Sequence, residues 1–162
     1  MERRTTDSTV IGVISDTHGL LRPEAIAALE GSRYIVHGGD VGDESILRTL
    51  EAIAPVTVVR GNTDYESWAK RLPRTAVLEV AGVRIYAVHD IDELDIDPPT
   101  AGVDVVVFGH SHRPGIEYRD RVMYLNPGSA GPRRFNLPVS IAQLTIEDRG
   151  AKAEIIEIVP SP

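Results

Sequence analysis

The stretch Asp104-Val105-Val106-Val107-Phe108-Gly109-His110-Ser111-His112 decides the fold of this chain. Its four branched or aromatic residues in a row predict a strand that is buried on both faces. Gly109 lets the backbone leave the sheet at a point where a Cβ atom would crowd its neighbours. His110 and His112, two positions apart, can then project from one loop toward a common point. Because neutral imidazole is a common metal ligand, the stretch predicts half of a metal site; the alternative is a turn that happens to contain two histidines.

Four further predicted strands also end in polar side chains. Residues 9–15 end at Asp16-Thr17-His18, residues 34–36 at His37-Gly38-Gly39-Asp40, residues 56–59 at Arg60-Gly61-Asn62-Thr63-Asp64, and residues 83–88 at His89-Asp90. Functional groups in open α/β sheets collect at the carboxyl ends of the strands. All five histidines of the chain fall at these ends and none lies inside a predicted helix or strand. We therefore expect one shared site rather than a set of unrelated turns.

The order of the elements predicts the fold class. Helices are expected over residues 24–30, and after Asp43 as an N-cap up to Pro55, so the front half has the β-α-β-α-β pattern of a parallel sheet. A hairpin over residues 76–80 and 83–88 follows, and the remainder predicts short antiparallel strands over residues 115–118, 122–125, 139–145 and 153–159. The predicted architecture is mixed α/β, with two packed mixed sheets and the helices outside. We expect residues 9–162 to form a single domain and residues 1–8 to form a flexible N-terminal tail.

The composition is that of an ordinary soluble globular protein. The chain has 162 residues, of which 42% are hydrophobic and 25% are charged. A net charge of −7 without clustered Lys and Arg argues against long nucleic acids as partners, although bound cations can still attract a small anionic substrate. The absence of cysteine excludes disulfides, thiolate zinc sites and cysteine nucleophiles. The polar N-terminus and the lack of a long apolar run predict a cytoplasmic protein with no membrane partner, and a homo-oligomer stays open.

The candidate ligands indicate the class of metal. Carboxylates, imidazoles and one amide oxygen, without sulfur, suit Mn²⁺, Fe, Zn²⁺ or Ni²⁺ better than Ca²⁺, and Mn²⁺ is the metal that we expect. The candidates are too many for one tetrahedral ion: Asp16, His18, Asp40, Asn62, His89, His110 and His112. They fit two divalent ions roughly 3.5–4 Å apart with one bridging carboxylate. Such a pair lowers the pKa of a shared water molecule and holds a phosphoryl group.

In order and spacing, these motifs resemble the calcineurin-like metallophosphoesterase superfamily. The matching motifs are Asp16-Thr17-His18, Gly39-Asp40, Gly61-Asn62-Thr63-Asp64, His89 and Gly109-His110-Ser111-His112. The short chain, the Gly-Asn-x-Asp variant and the turn Asn126-Pro127-Gly128-Ser129 are similar to the small YfcE-type phosphodiesterase branch. The resemblance implies a four-layer α/β/β/α sandwich. It also implies that one ion is held by Asp16, His18, Asp40 and His112, and that the other is held by Asp40 as the bridge with Asn62, His89 and His110.

The chain departs from the family pattern at two positions. The family usually has His-Gly-His where this chain has His89-Asp90-Ile91, so the expected ligand is kept and a histidine near the substrate is missing. Thr63 follows Asn62, where phosphatases of the superfamily have histidine and its small diesterases often have cysteine. Because a threonine hydroxyl is too weak an acid to protonate a poor leaving group, we expect better activity on diesters with good leaving groups than on alkyl monoesters.

The function hypothesis is a dinuclear-metal-dependent phosphodiesterase that hydrolyses small phosphodiesters through a metal-bridging hydroxide. Asn62 and His110 are the expected catalytic residues, which stabilise charge on the phosphoryl oxygens and lie near the leaving group. Two alternatives stay open: a phosphomonoesterase on a small metabolite or phosphoprotein, and a catalytically weak interaction scaffold of the same fold. The roles of four further side chains, those of His37, Asp90, Arg133 and Arg134, are left open, and Asp64 is expected to orient Asn62 or to cap its loop.

Overall fold

Ten strands and two α-helices make up the computed structural model, which describes residues 8–159. The strands are β1 (Thr9–Ile14), β2 (Tyr34–His37), β3 (Val56–Val58), β4 (Thr75–Val80), β5 (Val83–Val88), β6 (Val105–Val107), β7 (Gly115–Arg119), β8 (Val122–Asn126), β9 (Val139–Glu147) and β10 (Gly150–Val159). The helices are α1 (Pro23–Leu29) and α2 (Glu44–Glu51). The predicted N-terminal tail lies outside the described residues except for Ser8, and the single-domain organisation of residues 9–162 stays a prediction.

The strands form two mixed sheets of five strands each. The first has the order β10-β9-β1-β2-β3, in which β1, β2 and β3 are parallel, and the second has the order β4-β5-β6-β8-β7, in which β5, β6 and β8 are parallel. The parallel pairing of the front half is therefore as predicted. Within the part of the chain that is described, no helix is long and apolar enough to cross a membrane.

Three apolar clusters separate the layers. The first lies between the two sheets and includes Val13, Val107 and Leu144, and the second packs helices α1 and α2 on the first sheet through Leu29, Leu50 and neighbouring residues. The third covers the outer face of the second sheet with the segment that follows β5, including a 3₁₀ helix over Ile91–Glu93. The predicted four-layer fold class is confirmed, with a short 3₁₀ turn and loop as the layer outside the second sheet.

The structure corrects three details of the predicted elements. Strand β8 is not antiparallel to all its neighbours: it pairs parallel to β6 and antiparallel to β7. All five of its residues are buried, which is typical of a central strand. Helix α2 ends at Glu51 rather than at Pro55, because the residue before a proline avoids the helical region. His37 is the last residue of β2 and therefore lies inside a strand.

Candidate metal centre

The loops that follow β1, β2, β3, β5 and β6 converge at one end of the two sheets. Six of the seven predicted ligands form two groups there, Asp16 with His18 and His112, and Asp40 with His89 and His110. Within each group, one nitrogen or oxygen atom of every residue lies within 4.8 Å of the others. Residues from distant parts of the chain thus meet as expected, and their role as ligands stays a prediction.

The first group, in which Asp16 and His112 are buried and His18 is partly buried, centres on one oxygen atom of Asp16. Asp16 Oδ1 lies 3.4 Å from His112 Nε2 and 3.6 Å from His18 Nε2. The other oxygen, Oδ2, accepts hydrogen bonds from Ser15 Oγ at 2.7 Å and from the backbone N–H of His110 at 3.1 Å. Asp16 Oδ1 is buried and has no hydrogen-bond partner among the described residues. A buried carboxylate oxygen that faces two imidazole nitrogens without a proton donor of its own fits a bound cation.

The second group includes Asn62, the seventh predicted ligand. Asn62 Oδ1 lies 2.9 Å from His89 Nε2 and 3.1 Å from His110 Nδ1. His89 Nδ1 lies 2.7 Å from the carbonyl oxygen of Gly38, to which it donates, and this contact orients the ring so that Nε2 faces the group. The side chain of His110 is 46% exposed, whereas those of Asp40 and His89 are buried, so the second group reaches the solvent through His110 and Asn62.

Asp40 lies between the two groups. Its Oδ2 atom is 3.1 Å from His89 Nε2 of the second group and 3.6 Å from His18 Nε2 of the first. Its Oδ1 atom accepts a hydrogen bond of 2.9 Å from the backbone N–H of Thr63. One carboxylate thus contacts both groups, which is the arrangement that a bridging ligand requires.

The charges of this cluster shift the pKa values of its members. Burial by itself would raise the pKa of Asp16, but the imidazoles of His112 and His18 beside Oδ1, the charge of His89 and the hydrogen bond from Ser15 hold this pKa well below its usual range. For Asp40 too, burial is outweighed, by His89 and Thr63, and the pKa is lowered. Burial would lower the pKa of His89, but the hydrogen bond to Asp40 and the charges of Asp16 and Asp40 raise it to about 9. The two carboxylates are therefore ionised at neutral pH, as metal ligands must be.

Five of the seven predicted ligands have a left-handed backbone. The φ angles are +56° for Asp16, +45° for His18, +55° for Asp40, +71° for His110 and +62° for His112. This conformation is unfavourable for residues other than glycine, and it is found at functional sites where the surrounding structure enforces it. The sharp turns direct the side chains back over the ends of the strands, so the same strain that costs stability brings the ligands together.

His37 is a fully buried residue that joins two of the ligand loops. Its Nδ1 atom accepts a hydrogen bond of 3.0 Å from the N–H of Gly39, and its Nε2 atom lies 3.1 Å from Thr17 Oγ1, which in turn donates to the carbonyl oxygen of Val41. Burial lowers the pKa of His37 to about 4, so the ring is neutral and Nε2 carries the proton. The described contacts of His37 are with backbone groups and Thr17, so the structure supports a structural histidine and not one that bonds a ligand side chain.

Asp64 holds the loops of Asp40 and Asn62 together from behind. Its buried carboxylate accepts three backbone hydrogen bonds, from Val41 at 3.2 Å, Gly42 at 3.2 Å and Gly61 at 2.9 Å. Gly61 is required here because a Cβ atom at this position would overlap the carboxylate and backbone of Asp40. Asp64 thus caps the loop, as one of the two sequence hypotheses stated.

The turn at the end of β8 supports the loop that carries His110 and His112. Asn126 Nδ2 donates to the carbonyl oxygen of Gly109 at 3.2 Å and to Ser111 Oγ at 3.1 Å, and Ser129 Oγ donates to the carbonyl oxygen of Asp16 at 2.9 Å. A Cβ atom on Gly109 would overlap Ser15 Oγ, which confirms the reason given for this glycine. The sequence identified this segment as a turn and as part of the family resemblance, but it did not predict these contacts, because a turn signal is backbone chemistry.

The remaining side chains with open roles occupy different places. Asp90 accepts a hydrogen bond from the N–H of Asp92, and its other oxygen lies 3.8 Å from His110 Nε2, so it caps the 3₁₀ helix beside the second group. Arg133 donates to the carbonyl oxygen of Leu137 within its own loop, and Arg134 is exposed.

Two arginines that the sequence reasoning did not select, Arg60 and Arg74, line a cavity beside the second group. An isolated arginine after a strand carries too weak a signal to be singled out.

Comparison with known proteins agrees with this geometry. Residues 10–149 match the family model described as the calcineurin-like phosphoesterase superfamily domain. A probable metallophosphoesterase of Methanocaldococcus jannaschii is 37% identical over 162 aligned residues, which cover 92% of this chain and 81% of that protein. The phosphodiesterase YfcE of Escherichia coli K12 is 27% identical, with coverage of 80% of this chain and 84% of that protein.

Solved structures share the fold. A conserved protein of Streptococcus pneumoniae, described as a predicted phosphoesterase, superposes with a TM-score of 0.75 at 24% identity and covers 95% of this chain and 92% of its own. Vacuolar Protein Sorting 29 from Cryptosporidium parvum superposes with a TM-score of 0.73 at 17% identity and covers 96% and 99%. At these identities the likeness concerns the arrangement of strands and helices, and the chemistry must be argued from the side chains.

Proposed function

This chain belongs to the calcineurin-like phosphoesterase superfamily and is a metal-dependent phosphoesterase, and from this premise we propose that it hydrolyses small phosphodiesters at a site for two divalent cations. The position of Asp40 carries the proposal. Its Oδ2 atom contacts His89 of one ligand group and His18 of the other, at 3.1 Å and 3.6 Å. A single carboxylate shared between two sets of nitrogen and oxygen ligands is the feature that two neighbouring cations require.

The donor set supports two cations that favour mixed nitrogen and oxygen ligands. Asp16, His18 and His112 would hold the first ion, Asn62, His89 and His110 would hold the second, and Asp40 would bridge them. The cluster contains no sulfur ligand, which favours Mn²⁺, with Fe, Zn²⁺ and Ni²⁺ as alternatives. When bound, the two cations supply a water molecule of lowered pKa and neutralise charge on the phosphoryl oxygens.

The exposed members of the site would bind the phosphoryl group. Asn62 and His110 are exposed at the mouth of the cluster, whereas Asp16, Asp40 and His112 are buried beneath them. A substrate that approaches from solvent would therefore meet the amide of Asn62 and the imidazole of His110 first. These two side chains can stabilise negative charge on the phosphoryl oxygens and orient the leaving group, since phosphoryl transfer needs mainly positioning and charge stabilisation.

The residue after Asn62 favours diesters over monoesters. Thr63 is exposed beside the second group, and its backbone N–H donates a hydrogen bond to Asp40 Oδ1. Its hydroxyl is a poor acid, so this position offers no proton to an alkoxide leaving group. Diesters with acidic leaving groups do not need that proton, and we expect the protein to act on them.

A scaffold without catalysis is the remaining alternative. The superposition with a sorting protein concerns the fold at 17% identity, and the complete set of ligand residues in this chain favours the enzyme. The cytoplasmic location and the choice of Mn²⁺ stay predictions.

The experiment is hydrolysis of bis-p-nitrophenyl phosphate and p-nitrophenyl phosphate by metal-stripped protein to which Mn²⁺ is added back. We expect the diester rate to exceed the monoester rate by about tenfold or more, and Asp40→Asn to reduce it by at least about 100-fold, as for loss of a group that positions a metal. Asp43→Asn is the matched control, because it is the same change of aspartate to asparagine at an exposed helix N-cap outside the site. Equal rates for the parent and Asp40→Asn, or no rate above background with either ester, would refute the proposal.

A further inference from the structure

A cavity of about 270 Å³ opens beside the second ligand group. Its lining includes two residues of that group, Asn62 and His89, together with two arginines and two carboxylates: Arg60, Arg74, Asp90 and Glu93. The cavity is thus continuous with the place where the phosphoryl group of a substrate would bind. A part of the substrate that is not transferred would occupy it.

Arg60 is held so that its guanidinium is available to a ligand. Its Nε–H donates to the carbonyl oxygen of Asp64 at 2.8 Å, which fixes the side chain and leaves the two terminal nitrogens of the fork for other partners. Its backbone N–H donates to the carbonyl oxygen of Pro73 at 2.7 Å. This bond ties the end of β3 to the residue that precedes Arg74, so the two arginines come from adjacent backbone segments.

Neither arginine of the cavity is neutralised by the protein. In the described part of the chain, Arg84 and Arg119 form ion pairs with Glu79 and Glu117, whereas no carboxylate lies within 4.0 Å of Arg60 or Arg74. Two unpaired guanidinium groups in one cavity create a preference for an anion, because the planar fork matches a carboxylate or phosphate.

The carboxylates of the cavity do not cancel this preference. Asp90 accepts the N–H of Asp92 and lies beside His110, so its charge is directed to the protein. Glu93 is exposed, where solvent screens its charge. The volume lies just below the usual range of roughly 300–1,000 Å³ for ligand pockets, so the group that enters is small.

We infer that this cavity binds a second anionic group, a carboxylate or a phosphate, carried a few atoms from the scissile phosphate on the arm that is not released. The inference rests on the proposed function, because the cavity adjoins the proposed reaction site. It names the substrate class: a small phosphodiester with an additional negative charge on one arm. Arg60 and Arg74 are specificity-determining residues in this scheme and take no part in the chemistry.

The test compares diesters that share a leaving group and differ in the charge on the other arm. These are p-nitrophenyl butyl phosphate, p-nitrophenyl 3-carboxypropyl phosphate, and an analogue with a phosphate on a two-carbon arm. With Mn²⁺-loaded protein we expect KM for the charged diesters to be about tenfold lower than for the butyl diester, with similar kcat, since the arm binds but does not react. The carboxylate and phosphate arms distinguish the two sources of charge.

Arg74→Gln is the informative variant, because Arg74 is exposed and its side chain makes no hydrogen bond to the residues that the structure describes. It should raise KM for the charged diesters by about tenfold and leave the butyl diester unchanged. Arg71→Gln is the matched control, since Arg71 is also exposed, lies three residues away and does not line the cavity. Equal KM values for charged and butyl diesters in the parent, or equal effects of the two variants, would overturn the inference while leaving the proposed function intact.

Binding of the products separates failure of the inference from failure of the proposed function. If no diester is hydrolysed, the proposed function fails. Calorimetric titration of Mn²⁺-loaded protein with butyl phosphate and with 3-carboxypropyl phosphate then decides the inference without turnover. Tighter binding of the charged product, lost in Arg74→Gln and kept in Arg71→Gln, supports the anion site, and equal binding of the two products overturns it.

Discussion

The substitution Asp64→Asn removes one negative charge behind the site without touching a predicted ligand. The carboxylate accepts three backbone hydrogen bonds, with Oδ2 facing the N–H groups of Val41 and Gly61 and Oδ1 facing that of Gly42. An asparagine has one acceptor oxygen, so it can accept two of these hydrogen bonds, now as an uncharged acceptor. Its N–H₂ group must then face the third N–H donor. Asp64 is buried, so water cannot replace the lost contacts.

The size of the effect follows from these three bonds. A hydrogen bond to a charged group contributes about 1.5–3 kcal/mol, and a neutral one contributes about 1 kcal/mol. With charged bonds of about 1.5–2 kcal/mol each, one bond lost and two weakened decrease the free energy of unfolding by about 2.5–4 kcal/mol. For a chain of this length each kcal/mol shifts Tm by about 2–4 °C, so Tm should fall by roughly 10 °C. Because Val41 and Gly61 adjoin Asp40 and Asn62, we also expect Mn²⁺ affinity to fall by about 10- to 100-fold, as for other residues that support metal ligands.

Urea unfolding of metal-free protein measures the first quantity, and electron paramagnetic resonance of free Mn²⁺ measures the second. Asp43→Asn is the control, because asparagine caps a helix as well as aspartate does and this side chain accepts its single bond at the surface. If Asp64→Asn unfolds at the same urea concentration as Asp43→Asn and binds Mn²⁺ as tightly, the role of Asp64 as the brace between two ligand loops is wrong.

Three further predictions concern single residues. Gly61→Ala should reduce the diesterase kcat by at least about 100-fold because its methyl group would displace the Asp40 carboxylate, whereas Gly115→Ala, with open space around it, should match the parent in the same assay. His89, with its pKa raised to about 9, carries a proton at pH 7.5 that a bound metal must displace. Calorimetric titration with Mn²⁺ in two buffers of different ionisation enthalpy should show this proton release, and the Mn²⁺ affinity should rise with pH up to about 9. His37, with its pKa lowered to about 4, stays neutral when folded while the unfolded chain takes up a proton, so the free energy of unfolding should fall by about 1.4 kcal/mol per pH unit from pH 6.5 to 4. Denaturant titrations of His37→Gln should lose this slope, and an unchanged slope would contradict the assignment.

Much of the fold was predictable because local patterns and tertiary structure agree. Val105, Val106 and Val107 form a central parallel strand, and Asp43 caps its helix, as their types predict. The parallel pairing of β8 was not predictable, because it depends on β7 folding back at the edge of the sheet. A short, mostly apolar run has the same appearance whether its neighbour is parallel or antiparallel.

The candidate site was predictable for a different reason. Histidine is uncommon in the chain and each predicted ligand stands in the loop after a strand, so the set of motifs is specific even though each motif alone is weak. Arg60 and Arg74 were not predictable, because their significance lies in a shared cavity, in the lack of an ion-pair partner within residues 8–159, and in a backbone hydrogen bond between Arg60 and Pro73. These contacts can be seen only in the folded structure.

The left-handed ligands explain why so many supporting contacts surround this site. Five residues with positive φ cost roughly 1 kcal/mol each, a sum close to the lower end of the net stability of about 5–15 kcal/mol for a whole domain. The loops could not keep this conformation without the contacts made by His37, Asp64, Asn126 and Ser129, each of which bonds the backbone of a ligand loop. Because these contacts hold the backbone and not the ligand atoms, the unpartnered oxygen of Asp16 stays available to a cation. The stability of the loops and the readiness of the site to bind metal therefore depend on the same buried hydrogen bonds.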